Sequence, residues 1–284
     1  MADSDNIVLK TVKVSSRRSF GDAAVEFWRY RHLCFHLASA DLQSRFRRSA
    51  LGIIWALIHP LAFTFLYSIV LATIFQQSFL DFSVYVFAGL ILWEAISGFM
   101  ILGSHSLINA AGYLKQSAIP MLLFPIRTSM TVTFIFVLGI VSFALYTVAV
   151  SVLYGFAPGV TIYWLWSLPI CAALFLFGVP LATITAYLNV QFRDTQQILI
   201  IFTQAVWFAS PVFFARNVFD TPELQLWATI NPVVAFCDVF RDPLVYGRAP
   251  DPTDWIAIGI WVCIAWVVAF WVMASSGRKT VFNL

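Results

Sequence analysis

The sequence predicts an all-α polytopic membrane protein with six transmembrane helices, an N-terminal amphipathic helix and re-entrant helices on the outer side. The chain of 284 residues is 61% hydrophobic and only 11% charged, whereas a soluble domain is typically about 25% charged. It holds six apolar runs long enough to cross hydrocarbon about 30 Å thick, which takes roughly 20 helical residues. Its basic residues collect on one side of those runs, which gives the chain an orientation.

The N-terminal part divides into two predicted segments. Residues 1–19 are polar and predict a disordered cytoplasmic tail. Residues 20–48 predict an amphipathic helix on the inner membrane surface, which is either a simple lipid anchor or a docking surface for a cytoplasmic partner. Its apolar residues recur at roughly helical spacing, at Phe20, Ala24, Phe27, Cys34, Leu37, Leu42 and Phe46.

The remaining residues, 49–284, predict the six-helix transmembrane domain. A basic cluster of Arg45, Arg47 and Arg48 runs directly into the first apolar span, so the chain enters the membrane from the cytoplasm. With both termini cytoplasmic, fourteen of the seventeen Lys and Arg residues lie on the inner side. The predicted spans are Leu51–Phe75, Val84–Leu107, Thr128–Tyr154, Tyr163–Val190, Gln197–Phe214 and Trp255–Ser275.

The longest outer segment, residues 215–254, mixes charged residues with aromatic and aliphatic ones. It is too apolar for a free loop and too charged for a span. We therefore expect short helices that dip back toward the membrane. Irregular backbone at that depth is tolerated only where protein or water covers it, so the segment is expected to line a cavity or gate.

The chain lacks the residues that would bind a nucleotide. A P-loop requires Gly-Lys followed by Ser or Thr, and none of its four lysines (Lys10, Lys13, Lys115 and Lys279) follows a glycine. We therefore expect no cofactor in this chain, and any ATP and Mg²⁺ to be bound by a separate subunit. A net charge of only +3 gives no indication of a nucleic-acid partner.

Membrane catalysis and metal binding are weakly supported. Ser104 and His105 are adjacent, and adjacent residues on a helix do not face each other. His32 and His36 share a helix face, but no third ligand stands at suitable spacing, so we predict no metal site. The four cysteines are scattered and predict no disulfide. A membrane enzyme acting on lipid-linked sugars remains an alternative class without a catalytic constellation.

Glu94 is the only acidic residue well inside a predicted span. A charged residue at the centre of a transmembrane helix costs roughly 2.5–3.5 kcal/mol on insertion scales, so its surroundings should be polar. Three roles stay open: a pathway residue, a packing hydrogen bond, or an interfacial position beside Trp93. His59, in the first span, is expected to hydrogen-bond within the bundle.

Five passages together carry a resemblance to a known family. The passages are DLQSRFRRSALGIIWALIHPL (41–61), YVFAGLILW (85–93), the segment from Asn109 to Pro125, NVQFRDTQQI (189–198) with SPVFF (210–214), and NPVVAFCDVFRDPLVYGRAPD (231–251). With these passages the chain resembles the transmembrane subunits of ABC-2 type exporters, specifically those that export polysaccharides such as O-antigen, capsule or teichoic acid.

This resemblance implies a homodimer in the bacterial inner membrane that works with two copies of a P-loop ATPase subunit. The implied substrate is a polysaccharide, O-antigen foremost, on an undecaprenyl pyrophosphate carrier. Residues 20–48 look like the family's interface helix, which contacts the ATPase. The residues implied in ATPase coupling or pyrophosphate contact are Asp41, Arg45, Arg47, Arg48, Arg193 and Asp194.

The same resemblance implies a pathway and an outer gate. Aromatic faces stack on sugar rings, and Trp93 and Trp207 join Glu94 as predicted pathway residues. The outer gate is expected to involve Ser210, Pro211, Asn231, Pro232 and Arg241. Many relatives end in a Phe- and acid-rich tail, whereas this chain ends ASSGRKTVFNL, so a docking role for its C-terminus is in doubt. Export of a drug or a small lipid by the same architecture is the alternative.

Overall fold

The computed structural model describes residues 20–47, 49–116, 119–155, 160–214, 218 and 221–283. The predicted tail over 1–19 and the predicted site residue Arg48 lie outside the described residues. In the described part, ten α-helices make up the regular structure. They are α1 (Phe20–Phe46), α2 (Trp55–Phe75), α3 (Phe79–Ser104), α4 (Ala111–Gln116), α5 (Leu123–Tyr154), α6 (Ser167–Gln191), α7 (Thr195–Phe208), α8 (Pro222–Ile230), α9 (Pro232–Leu244) and α10 (Pro252–Asn283). Short 3-10 turns, Gly52–Ile54 and Ile162–Trp166, lead into α2 and α6.

Five helices of the described chain are long and apolar enough to cross a membrane. These spans are Gly52–Phe75, Phe79–Ser104, Leu123–Tyr154, Ile162–Gln191 and Pro252–Ser276. All five match predicted spans within a few residues. The chain is therefore a membrane protein with an all-helical fold in its described part.

The predicted span Gln197–Phe214 differs from the structure. Helix α7 has 14 residues, or about 21 Å at about 1.5 Å per residue, which is less than the hydrocarbon thickness. Residues 209–214 form turns instead of a further helical turn and a half. Pro211, which lacks a backbone N–H, cannot donate the hydrogen bond that would continue the helix. The structure thus has no full-length sixth span at this position.

Helix α3 begins five residues before the predicted start at Val84. Its first turn contains Asp81, a charged residue that lies outside the uncharged apolar run. A carboxylate is favourable at a helix N-terminus because it faces the positive end of the helix dipole. The acid therefore marks the beginning of the helix instead of interrupting it.

Helix α3 is the centre of the bundle and packs against α2, α5, α6, α7 and α9. Its buried side chains include Phe87, Leu92 and Phe99. Phe87 meets Phe143 of α5 edge to face, with 5.4 Å between the ring centroids. Helices α2 and α10 lie at the periphery, and most of their large apolar side chains are exposed on the single chain. Such faces suit lipid or a second protein surface.

Helix α1 lies against the start of α5 and covers Phe20–Phe46 of the segment 20–48 in which a helix is predicted; its position at a membrane surface stays a prediction. Cys34, Ala38 and Asp41, spaced by about one helical turn, form the face that meets α5. Cys34 packs against Leu123 and Ile126 of α5. The opposite face is exposed and includes Phe35.

Candidate functional site

Arg241 of α9 is the most deeply buried charged residue of the described chain, with 2% of its surface exposed. Its guanidinium donates hydrogen bonds to the backbone oxygens of Pro211, Val212 and Tyr85 and to the Tyr85 hydroxyl, at 2.7 Å for Val212 and 2.8 Å for the hydroxyl. It also stacks on the Tyr85 ring, 3.5 Å from the centroid. Such a forked set of donors is particular to arginine.

The turn over residues 209–214 is fixed by side chains of the predicted outer gate. Asn231 donates to the Ser210 hydroxyl at 2.8 Å and to the Ala209 carbonyl at 3.2 Å. Trp227 of α8 donates its indole N–H to the same Ala209 carbonyl at 2.6 Å. The Asn231 side chain also caps α9 by accepting from the Val233 N–H at 3.0 Å. We call the following residues the outer clamp: Tyr85, Ala209, Ser210, Pro211, Trp227, Asn231 and Arg241.

The outer clamp gathers the predicted gate residues Ser210, Pro211, Asn231 and Arg241 at one place, with Pro232 directly beside it as the first residue of α9. Because Gly89 of α3 has no side chain, Arg241 and the turn can lie directly against α3. A Cβ at that position would stand 2.4 Å from an Arg241 amino nitrogen and 2.5 Å from the Val212 oxygen. Gly89 follows the start of α3 by ten residues, or about 15 Å. The chain between α7 and α10 therefore dips well below that end of α3.

The predicted pathway residues Trp93 and Trp207 pack against one cluster beside the outer clamp. Trp207 and Phe213 lie 4.8 Å apart between ring centroids, and Tyr67 of α2 lies 5.0 Å from Phe213. Phe63, one helical turn before Tyr67, is 6.1 Å from it. We call the row His59, Phe63, Tyr67, Phe213 and Trp207 the aromatic stripe.

Glu94, the third predicted pathway residue, is paired with His59. The His59 Nδ1 lies 3.2 Å from the Glu94 Oε1, and 57% and 38% of the two side chains are exposed. His59 also packs on Phe63, with 4.7 Å between ring centroids. The expectation that His59 bonds within the bundle is confirmed, and Glu94 is its partner.

The depth of this pair decides what it can face. Glu94 lies ten residues before the end of α3 at Ser104, about 15 Å along the helix. Ionisable side chains at such depth almost always face a bundle interior or a water-filled cavity. Because both side chains are substantially exposed on the single chain, they do not face its interior. The pair therefore forms a polar patch on the surface of the single chain.

The residues predicted to couple to an ATPase or to contact pyrophosphate are mostly exposed. Arg45 and Arg47 lie at the end of α1, and Arg193 and Asp194 form the turn between α6 and α7. Arg45 is close enough to Glu94 to attract its carboxylate electrostatically. The α6–α7 turn is at the same end of the bundle as Ser104, because Asn189 donates to the Ser104 carbonyl at 3.0 Å.

Asp41 differs from the other predicted coupling residues because it has an intramolecular partner. Arg127 of α5 forms a forked ion pair with its carboxylate, including a bond of 2.5 Å from Nε to Oδ2. Arg127 was assigned no site role from sequence, since 86 residues separate the pair and no local pattern joins them. The pair fastens α1 to α5 next to Cys34, where burial raises the pKa of the thiol to about 11.

We expect Asp41→Asn to loosen α1 from α5, because the Arg127 fork then loses its charged acceptor. Hydrogen bonds to charged groups are worth about 1.5–3 kcal/mol. In a variant whose other three cysteines are serine, maleimide labelling of Cys34 at pH 7 should accelerate about tenfold, since the thiol becomes accessible. Asp81→Asn, an exposed acid of α3, is the matched control. Unchanged labelling of Cys34 would mean that the ion pair does not hold the helix.

Within the described residues, no group of three or more His, Cys, Asp and Glu side chains stands close enough to hold a metal ion. The arrangement is instead a membrane bundle with a clamped turn at one end and exposed basic residues at the other. Residues 32–245 match the ABC-2 type transporter family. The chain belongs to this family.

The ABC-2 match includes α1 from residue 32 onward, the outer clamp and the His59–Glu94 pair. Members of the family are transport subunits. The chain is similar to a Klebsiella pneumoniae protein named O-antigen export system permease protein RfbA, with 25% identity over 74% of this chain and 79% of that one. It is also similar to a protein of the same name from Myxococcus xanthus, with 26% identity over 86% of this chain and 92% of that one.

Proposed function

We propose that this ABC-2 permease is the transmembrane subunit of an ATP-driven exporter that carries a lipid-linked polysaccharide, most specifically O-antigen, across the bacterial inner membrane. The observation that carries this proposal is the similarity to O-antigen export permeases over 74% or more of both chains. A subunit that exports capsule, teichoic acid, a small lipid or a drug is the alternative within the same family.

The geometry supports a polar conduit for a large hydrophilic substrate. The His59–Glu94 pair is exposed at a depth where lipid would be an unfavourable neighbour. Aromatic rings continue from this pair along α2 toward the outer clamp. Rings of this kind can stack on sugars and leave the hydroxyl groups solvated. A second copy of the chain would complete the wall, so a homodimer is part of the proposal.

The proposal assigns ATP hydrolysis to two copies of a separate P-loop subunit on the cytoplasmic side. In this proposal five residues contact that subunit or the pyrophosphate of the lipid carrier. They are the exposed Arg45, Arg47, Arg193 and Asp194, together with Arg48. Guanidinium groups bind phosphate oxygens through two parallel donors. Asp41 contributes indirectly, because its ion pair with Arg127 positions the helix that presents these arginines.

Both termini are cytoplasmic in the proposed topology. Helix α7 enters the membrane after the exposed Arg193–Asp194 turn, and the outer clamp holds the following turn against α3. The short helix and the clamped turn together then make the fifth of the six crossings in chain order. Helices α8 and α9 act as the re-entrant outer gate. This topology keeps fourteen of the seventeen Lys and Arg residues inside, as the positive-inside rule favours.

The double substitution Arg47→Ala/Arg48→Ala tests the proposed coupling role. We expect surface polysaccharide to fall about tenfold in a deletion strain complemented with the variant, with normal amounts of the protein in the membrane. A loss of this size corresponds to about 1.4 kcal/mol, within the range of one charge-assisted contact. The measurement is surface polymer detected by antibody, normalised to membrane protein.

The control Lys10→Ala/Lys13→Ala removes two positive charges from the predicted tail and should leave export unchanged. Full export by the arginine variant would contradict the coupling role. A different result bears on the function itself: if the unaltered chain fails to restore any surface polymer when its ATPase subunit is present, the polysaccharide assignment is wrong.

A further inference from the structure

We propose that the His59–Glu94 pair is a sugar-binding subsite, which takes the vicinal hydroxyl groups of one monosaccharide unit at the start of the aromatic stripe. This inference rests on the proposed function and names the chemistry that the pathway recognises. It adds a specific ligand class to Glu94 and assigns a binding role to His59.

The first step is the composition of the pair. A carboxylate accepts hydrogen bonds and an imidazole both donates and accepts them. With 3.2 Å between His59 Nδ1 and Glu94 Oε1, the second carboxylate oxygen and the other ring nitrogen remain for a ligand. Neighbouring hydroxyl groups of a sugar offer donors and acceptors at a similar spacing. The pair can therefore bind two of them at once.

The second step is the apolar side of the subsite. The Phe63 ring packs on His59 with 4.7 Å between centroids and is itself exposed. A sugar combines polar edges with an apolar face, so it needs both kinds of surface together. Ligand sites commonly pair aromatic walls with a few positioned polar groups.

The third step is the choice between a sugar and a phosphate. A phosphate placed against His59 would stand beside the Glu94 carboxylate, and two like charges about 4 Å apart repel by about 4 kcal/mol at an effective dielectric constant of about 20. Arg45 of α1 is near Glu94 and supplies a cation next to the pair. A phosphate would therefore bind Arg45 and its neighbouring arginines, and the uncharged sugar unit that follows it would reach the pair.

The fourth step is continuity. From His59 the aromatic stripe runs through Phe63 and Tyr67 to Trp207, with centroid separations of 4.7, 6.1 and 5.9 Å, while Phe213 is buried behind Tyr67 and Trp207. No large gap therefore interrupts the rings between the pair and the outer clamp. A sugar released from the polar pair has an adjacent ring on which to stack, so the pair is positioned as an entry subsite.

The test is ligand binding by the full-length chain in lipid nanodiscs, measured by saturation-transfer difference NMR. The probes are maltotetraose, chitotetraose and inorganic pyrophosphate. We expect saturation transfer to at least one tetrasaccharide, and a loss of about tenfold in affinity for Glu94→Ala and His59→Ala, the scale of one to two hydrogen bonds. Asp81→Ala, which removes an exposed acid at the other end of α3, should bind as the unaltered chain does.

Two results would overturn the subsite: no binding of either tetrasaccharide to the unaltered chain, or equal binding by correctly folded Glu94→Ala protein. Glu94→Gln, which keeps the size of the side chain, replaces the alanine variant if the latter fails to elute as a folded species. Loss of pyrophosphate binding alone in these variants would indicate an anion site instead and also refute the proposal. If the unaltered chain restores export in the deletion strain while the subsite fails, the proposed function still stands.

Discussion

Replacing Arg241 by methionine is expected to open the outer clamp and to reduce export at least tenfold while the bundle remains folded. Methionine fills much of the same volume but donates no hydrogen bond. The backbone oxygens of Pro211, Val212 and Tyr85 would then lose their donor in a buried place. An unsatisfied buried polar group costs about 1–3 kcal/mol. Removal of a buried charge offsets part of this, so we expect a net loss of about 2–4 kcal/mol for the clamp.

Hydrogen exchange measures this effect locally. The amides of residues 209–214 should exchange at least tenfold faster in Arg241→Met, whereas those of α3 should keep their protection. In Arg241→Lys the exchange rate of these amides should lie between the rates in the unaltered protein and in Arg241→Met, since lysine supplies the charge but lacks the rigid fork. Arg29→Met is the control, because Arg29 is an exposed arginine of α1, a helix that packs against α5 and not against the turn. Normal protection of the turn in Arg241→Met would refute the clamp.

Gly103→Val is expected to abolish folding of the transmembrane bundle. A Cβ at Gly103 would stand 2.6 Å from both the Cα and the Cβ of Ala182. The backbones of α3 and α6 are in close contact here, and the atoms in the way include the Ala182 Cα, so no side-chain rotation relieves the clash. Close approach over small residues is a main source of helix association in membranes. The two helices would separate, and the Asn189–Ser104 bond one residue further on would break with them.

The yield of monodisperse protein after detergent extraction, followed by fluorescence-detected size exclusion, measures the result. Gly103→Val should give less than about a tenth of the normal yield, as overpacking beyond about 4 kcal/mol implies. Gly103→Ala should be intermediate. Gly259→Val in α10, where a Cβ meets nothing within 4 Å, should leave the yield unchanged. Equal yields for both valine variants would show that α3 and α6 tolerate separation.

The membrane spans were predictable because each depends on a local property, the length of an apolar run. The same property misled at the fifth predicted span. Residues 209–214 continue the apolar run of α7, so hydropathy alone joins them to it. Their backbone is instead a turn whose carbonyls bond Arg241, which lies about thirty residues further along the chain. Hydropathy contains no information about such a distant donor.

In the candidate site, too, local sequence features were predictable and contacts between distant residues were not. Glu94 stood out because an acid in an apolar run is unusual, and the gate residues stood out as a group in the resemblance. The pairing of Glu94 with His59 and of Asp41 with Arg127 could not be read from sequence, because each joins two helices whose relative rotation is set by packing. Arg127 carried one available signal. It is the one charged residue of a long apolar helix and lies in its second turn.

The outer clamp grips its turn almost entirely through main-chain oxygens. Every amino acid supplies such an oxygen, so the hydrogen bonds of the seal do not depend on the side chains of the turn. The side chains of Val212 and Phe213 are nevertheless buried in the neighbouring apolar cluster, so their volume is constrained by packing. Exchanges that keep this apolar volume should preserve closure, whereas polar replacements at either position should break it.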